Sequence, residues 1–438
     1  MASESLLSSR GRSEDETLSL PLSLRRKVAF RLLPYLFLIY IIAFLDRVNI
    51  SYAVLEMKTD LGFSSAVLGL GMGIFFWGYF LLEIPSTVIV ERWSARKWMS
   101  RIMVTWGLLA VGMGFLHSAR VMYLLRFLLG AAEAGFFPGI IVYLGHWFTK
   151  KDKAKAVALF MAALPVSFII GAPISGSILS VHWLGLHGWR WIFIMEGIPA
   201  IVAGLANLWI LTDRPHQARW LTPAEREQLQ TALDREAEGK TSHLNVFAYA
   251  THPVILLLTL IYFLTICASY GFGLWLPMMI KRFHYSDFHT SLLAAIPYVV
   301  SLLSMIGFGW NSDRTGERRW HTAIPFFIAA AGLSIGSIIH VTSLAGAMVG
   351  FCLVGFGIYS YMPSFWAVPS LYLSGTAMAV ATGFINSFAN LGGFVGPYMM
   401  GWVQSHTGSF SLAMGVLLLA QVIAGCLVFT LRPPQPAR

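Results

Sequence analysis

Charge is what this chain has least of. Asp, Glu, Lys and Arg make up 12% of its 438 residues, whereas 56% are hydrophobic, and an ordinary soluble domain carries about twice that share of charge. The balance excludes a water-soluble globular body of this length. Cysteine is scarce as well: Cys267, Cys352 and Cys426 make no C-x-x-C pair and no metal-ligand spacing. That excludes a disulfide framework and leaves three free thiols packed as small hydrophobes. All 12 histidines fall in loops or at the ends of apolar runs, which argues against a histidine proton relay and a metal site. No nucleophile–base pair or phosphate-cradling loop is present, so an enzyme is not expected. Residues 1–27 are rich in Ser and Glu and lack the apolar core and small-residue site of a cleaved leader.

Long apolar runs are what the chain has in abundance. Twelve stretches of about 20 residues or more, the length that crosses ~30 Å of hydrocarbon, run over 28–53, 64–90, 96–116, 119–147, 153–181, 188–212, 252–281, 289–311, 320–341, 343–368, 374–402 and 408–431. Backbone N–H and C=O groups find no water in lipid and must pair within their own segment. The expected fold is therefore an all-α membrane protein of twelve transmembrane helices. The longest internal polar segment, 213–251, divides it into an N-terminal six-helix half (28–212) and a C-terminal six-helix half (252–431), with a tail at 432–438. Within that linker, Thr222 to Glu225 (TPAE) is a capping box with proline at the first helical position, which predicts a short, solvated surface helix.

Basic residues set the orientation. Arg10, Arg12, Arg25, Arg26 and Lys27 precede the first span. The breaks after the second, fourth and eighth spans hold Arg92, Arg96, Lys97 and Arg101, then Lys150, Lys151, Lys153 and Lys155, then Arg314, Arg318 and Arg319. The alternate breaks hold only Lys58, Arg120, Arg190, Lys281 and Arg282. The positive-inside rule predicts that both termini, hence the tails 1–27 and 432–438 and the linker, are cytoplasmic. The net charge of +10 then belongs to topology with the lipid bilayer as partner, and nucleic acid is not its cause. Gly69 with Gly73, and Gly346 with Gly350, are spaced for close helix approach. Packing within one chain accounts for them, and a monomer is expected.

The halves echo one another. ERWSARK (Glu91 to Lys97) follows the second span as DRTGERR (Asp313 to Arg319) follows the eighth, and GAPISG (Gly171 to Gly176) in the fifth corresponds to GPYMMG (Gly396 to Gly401) in the eleventh. Parallel six-helix repeats are a known transporter plan. GWNSDRTGERR (Gly309 to Arg319) resembles the G-x-x-x-D-R-x-G-x-R-R loop signature of the major facilitator superfamily at every fixed position. The first-half copy has Thr87 and Ser94 where glycines are usual and Glu91 in place of Asp. The resemblance implies gating loops at Asp313 and Arg314 and at Glu91 and Arg92. FLDRVNIS (Phe44 to Ser51), RFLLGAAEAGFFPG (Arg126 to Gly139) and INSFANLGGFVGPY (Ile385 to Tyr398) are similar to the anion:cation symporter branch, with its bacterial tartrate, sugar-acid and aromatic-acid permeases and, more distantly, vesicular glutamate transporters and sialin. That implies a bacterial inner-membrane (plasma membrane) protein that moves small organic acids with protons as coupling ion and no other cofactor.

An ionisable group at membrane depth costs at least about 2.5–3.5 kcal/mol on insertion scales, so each needs a partner or a task. The deep ones are Asp46 and Arg47, Glu83, Arg126 and Glu133, with Glu196 nearer a span end; the second half has none at comparable depth. Arg126 and Glu133 are two helical turns apart and share a face, whereas Asp46 and Arg47, about 100° apart, point differently. One of that pair is expected to meet substrate and the other the fourth span. Buried ion pairs that only fix packing are the plain alternative. The resemblance implies that Arg47 is the anion ligand and that Asp46 and Glu133 are the proton sites; Arg126, on the same face as Glu133, is grouped with them for proton coupling. Tyr79, Tyr270, Trp366, Asn386 and Asn390 are candidate contacts to substrate hydroxyls, and Glu83 is expected to bridge to the basic loop. The expected activity is symport of a hydroxy or sugar acid such as tartrate or an aldonate. An organic-anion exchanger, an aromatic-acid permease and a transport-derived sensor are the alternatives.

Overall fold

The computed structural model of the protein describes residues 20–237, 252–338, 343–372 and 375–431. Most of the expected tail 1–27, the tail 432–438 and the later part of the linker lie outside the described residues. Among the described residues there are helices and turns but no strand. The first span is one continuous helix made of α1 (Leu22–Val48) and α2 (Ile50–Asp60), joined through Asn49, whose backbone stays helical. Then come α3 (Ser65–Arg92), α4 (Ala95–Met113), α5 (Ala119–Glu133) with α6 (Phe136–Gly145), α7 (Lys150–Met161) with α8 (Ala163–Leu179), and α9 (Gly188–Ile210). The linker helix is α10 (Pro223–Ala237). The second half has α11 (Pro253–Lys281), α12 (Asp287–Thr315), α13 (Arg319–Ile338), α14 (Leu344–Ser360) with α15 (Met362–Ala367) and α16 (Pro369–Tyr372), α17 (Gly375–Asn390) with α18 (Gly392–Thr407), and α19 (Ser411–Thr430). Each expected span falls on one of these helices or helix pairs, and among the described residues nine helices, single or joined, are long and apolar enough to cross a membrane.

Local chemistry explains the ends. Ser64, Ser94, Ser118, Ser286 and Ser343 each accept a hydrogen bond from the first turn of the helix that follows, which satisfies an otherwise orphaned N–H. Gly316 in DRTGERR closes α12 at φ 70°, a left-handed cap that favours glycine. The first helix starts inside the expected tail, because Leu24, Val28 and Leu32 continue the apolar stripe and are buried. Its charged face is held too: Arg25 pairs with Asp152 of α7, and Lys27 Nζ lies 2.7 Å from Glu225 of α10.

The capping box forms as expected, with Thr222 N–H donating to Glu225 Oε2 at 2.8 Å and Glu225 N–H donating to Thr222 Oγ1 at 3.2 Å. The linker helix is less solvated than expected. Leu221 and Leu229 are buried and Trp220 stacks on Trp147 at 5.4 Å, and burying each leucine stabilises by about 1.5–3 kcal/mol. The thiols also divide: Cys267 is buried, whereas Cys426 is exposed on the bundle surface.

The two halves meet closely at the end of the bundle where α3 begins and α18 ends. A Cβ at Gly69 would lie 2.7 Å from Pro397 O and 3.1 Å from Gly401 Cα, both backbone atoms of α18, and Ala66 N–H donates to Ser405 Oγ at 2.9 Å. The Gly69 and Gly73 pair thus serves contact between halves of one chain, as the sequence suggested. Deeper in, Phe168 of α8 stacks on Tyr298 of α12 at 4.1 Å. Gly69→Val puts a branched side chain against backbone that cannot move aside, and should pry this end open. Spin labels at Thr59 and His406, on opposite halves, are expected to report a longer distance in Gly69→Val than in wild type; an unchanged distance distribution would show that the interface tolerates the wedge.

Candidate substrate and proton site

The charges of the first half converge around one aromatic ring. Arg47 lies with its guanidinium 4.9 Å from the Phe44 ring, 5.3 Å from Phe75 and 5.1 Å from Tyr79. Arg126 approaches the same Phe75 ring at 5.0 Å. Desolvated cation–π contacts of this kind stabilise by about 2 kcal/mol. Arg47 forms an ion pair with Glu133, and its Nη1 donates to Tyr270 Oη of the second half at 3.4 Å. Two buried donors remain over: Arg47 Nε and Arg126 Nη1 have no hydrogen-bond partner. A pair of arginines with spare N–H groups in an aromatic box is equipped to take a carboxylate.

Glu133 is positioned by a break in its span. It is the last residue of α5; Ala134 leaves the helical region and Gly135 is left-handed at φ 82° before α6 resumes. The carboxylate therefore sits where the chain changes direction. Glu133 pairs with Arg47 of the first span, whereas Arg126 donates to the Gly71 and Met72 carbonyls of α3 at 3.2 and 3.4 Å. Shared helical face placed Arg126 and Glu133 in one region but did not make them partners. Asp46 takes a different partner from its neighbour Arg47, as the 100° offset between them allows. Its Oδ1 accepts from Asn49 Nδ2 at 2.9 Å, while Oδ2 has no partner.

Glu83 does not bridge to the basic loop. Its Oε1 accepts from Asn386 Nδ2 at 2.8 Å, a hydrogen bond between the halves, and near it Phe80 meets Phe388 at 5.2 Å. Asn386 is thereby occupied by a carboxylate, while Asn390 ends the same helix one turn later. Trp366 packs on Tyr262 at 5.1 Å, within an aromatic cluster of the second half. Tyr79 and Tyr270 are the expected contacts that the structure brings onto Arg47.

The loops differ as the departures in their sequence suggest. In the second half Arg318 Nη1 donates to Asp313 Oδ1 at 2.7 Å and Arg314 lies over Trp310 at 5.4 Å. In the first half Glu91 and Arg92 are exposed. There the loop is tied by Ser94 Oγ and Arg96 N–H, each donating to Asp213 at 2.8 Å. Residues not singled out from sequence are Asn49, Ser175 and Tyr35. Of these Asn49 was within reach, since it stands one helical turn after Asp46.

A bundle of this design, charged in one half and polar but uncharged in the other, defines a membrane carrier. The sequence profile of the Major Facilitator Superfamily matches residues 36–397, and the chain belongs to that family: it is a multi-pass membrane transport protein and not an enzyme. It is 44% identical over 404 residues, covering 91% of this chain and 90% of the other, to an Agrobacterium vitis protein named "Putative tartrate transporter". It is 35% identical to an Acinetobacter baumannii protein named "Quinolone resistance transporter", covering 92% and 93% of the two chains. Its fold resembles the crystal structure of a bacterial homologue of the human lysosomal transporter Spinster in an inward-facing, occupied conformation, with TM-score 0.73 at 18% identity, covering 91% of this chain and 95% of that one.

The Glu83–Asn386 bond has a measurable signature. Glu83→Ala and Asn386→Ala should each lower thermal stability in detergent, and the double variant should be less destabilised than their sum by about 0.5–3 kcal/mol, the range for groups in direct contact. Strict additivity would show that the two groups do not act on each other.

Proposed function

We propose that this carrier imports a small organic anion, a hydroxy or sugar acid such as tartrate or an aldonate, together with protons, by alternating access with both termini in the cytoplasm. The observation that carries the reading is the competition built around Arg47. Its fork is held by Glu133 in this conformation, so a substrate carboxylate and the Glu133 carboxylate are rivals for one guanidinium. Protonation of Glu133 removes the rival and frees Arg47 for the anion; loss of that proton restores the pair and expels the anion. Arg126, fixed by backbone carbonyls with Nη1 to spare, adds positive potential without taking part in the exchange of partners. Asp46, adjacent in sequence but turned to Asn49, supplies a second carboxylate for coupling. Tyr270 brings the second half onto the same arginine, so substrate capture and closure are linked.

The tartrate name of the Agrobacterium vitis relative supports the substrate class. The Acinetobacter relative, named for quinolone resistance, favours a second reading, transport of an aromatic carboxylic acid, which would use the same arginine. Uptake of L-tartrate and of an aromatic acid into energised vesicles separates the two. Collapse of uptake by an uncoupler separates symport from exchange, and a sensor would not turn over at all.

Arg47→Lys is expected to reduce tartrate uptake about 10–100-fold, because a point charge cannot replace a bidentate fork that contributes roughly 1.5–3 kcal/mol. Wild-type affinity in Arg47→Lys would remove Arg47 as the anchor. Glu133→Gln mimics the permanently protonated carboxyl. It is expected to exchange labelled tartrate across proteoliposomes yet fail to accumulate it against a gradient; undiminished uphill uptake would take Glu133 out of the coupling mechanism and leave Asp46.

A further inference from the structure

One buried carboxyl has no part in the scheme above. Glu196 of α9 is 5% exposed, and its Oε1 accepts from Ser175 Oγ of α8 at 2.6 Å. Its other oxygen, Oε2, is buried with no hydrogen-bond partner. What faces it follows from helix register. At the far end of α2, Trp189 N–H donates to Glu56 Oε2 at 3.1 Å and Trp189 Nε1–H donates to Asp60 Oδ2 at 2.8 Å. These bonds join the C-terminal end of α2 to the start of α9, and Tyr35 Oη of α1 donates to Ala203 O of α9 at 2.8 Å farther along, so the two helices run antiparallel. Glu56 to Asn49 on one helix and Trp189 to Glu196 on the other are equal steps of two helical turns, so Asn49 and Glu196 meet. Asn49 is 1% exposed and has its own orphan, Oδ1, while its Nδ2 holds Asp46.

Glu196 Oε2 and Asn49 Oδ1 are thus both buried acceptors without a donor, on side chains that the register brings together, and a single hydrogen shared between them satisfies both. We propose that Glu196 is a proton-binding site, carrying a proton on Oε2 that it donates to Asn49 Oδ1, and that the Asn49 amide links it to Asp46. The two hydrogen bonds then run in the same direction, from Glu196 through Asn49 to Asp46. A proton on Glu196 polarises the Asn49 amide and strengthens its hold on an ionised Asp46, and by linkage an ionised Asp46 favours the proton on Glu196. The step is simple in its balance: one proton from bulk water converts the carboxylate to the neutral acid and returns to water on release. Among the described residues, the titratable groups that face Glu196 are Asp46 from α1 and Tyr52 from α2. The adjoining stretch of α4, from Met103 to Met113, carries none. At the open end of the same seam, Asp60 meets His187 at 3.1 Å and Arg190 at 3.6 Å, and His187 is about half exposed, which brings water to the α2–α9 boundary.

The proposal rests on the proton-coupled reading for its use in transport but not for its existence, and the test needs no substrate. Purified protein is titrated by infrared difference spectroscopy in the carboxylic-acid C=O region. At neutral pH the wild type is expected to show a buried-acid band that is lost in Glu196→Gln, a variant that keeps an oxygen for Ser175 and a donor for Asn49. Asn49→Ala is expected to shift the same band to higher frequency, because the acid loses its acceptor. A band that persists in folded Glu196→Gln overturns the proposal. Should Glu196→Gln fail to fold, a shift in Asn49→Ala supports the proposal and an unmoved band overturns it. If uptake proves insensitive to uncoupler while the band behaves as expected, proton-coupled transport fails and the proton site at Glu196 stands.

Discussion

A guanidinium withdrawn from water needs a negative partner, and the organisation of this transporter turns on that constraint at Arg47. Breaking a buried pair costs about 3–5 kcal/mol because it strands a charge, so Arg47 cannot simply be released from Glu133. It can only be handed from one anion to another. In the proposed cycle a carboxylate substrate is such an anion, and a proton on Glu133 makes it let go. The aromatic walls of Phe44, Phe75 and Tyr79 hold the guanidinium in place through the exchange and keep the surroundings poor in water, which makes the choice between partners decisive.

In the proposed cycle the rest of the bundle translates that exchange into motion. All the deep charges are in the first half, so the second half can move relative to it without dragging a charge through lipid. Its links to the first half are of a kind that can be broken and remade: Tyr270 on Arg47 at 3.4 Å, Asn386 on Glu83 at 2.8 Å, and glycine-lined backbone contact between α3 and α18. Single neutral hydrogen bonds contribute about 0.5–1.5 kcal/mol and those to a charged group about 1.5–3, within the few kcal/mol that separate the states of a carrier. A salt bridge at Glu83 would have been a stiffer latch.

Much of this was legible in the sequence. Twelve apolar runs, the linker capping box and the identities of Asp46, Arg47, Arg126 and Glu133 all follow from local pattern and from the cost of charge in lipid. Pairing was not legible. Arg126 and Glu133 share a face, but which arginine meets Glu133 depends on how α1, α3 and α5 pack and on the kink at Ala134–Gly135, where residues distant in sequence decide the outcome. Glu83 went astray for a related reason. Its depth along α3 suggested the basic loop, whereas the neighbour that reached it came from the other half.

The same limit explains why Asn49 and Glu196 escape a reading by motif. Neither stands out alone: an asparagine after a buried aspartate has an obvious local partner, and a glutamate near a span end is ordinarily paired at the interface. Only the antiparallel packing of the first span on α9, held by Trp189 on Glu56 and Asp60 and by Tyr35 on Ala203, brings them together, and each then has one buried acceptor without a donor. The first half holds four buried carboxyls, Asp46, Glu83, Glu133 and Glu196, beside two arginines, which is more proton-binding capacity than the single exchange proposed at Arg47 requires. The charge balance of the site follows: with Arg47 and Arg126 both ionised, substrate as a dianion can be matched without any carboxylate, whereas a monoanion leaves one negative charge to be supplied by Asp46 or Glu133. Under the proposed coupling, the number of protons retained follows the charge of the acid carried.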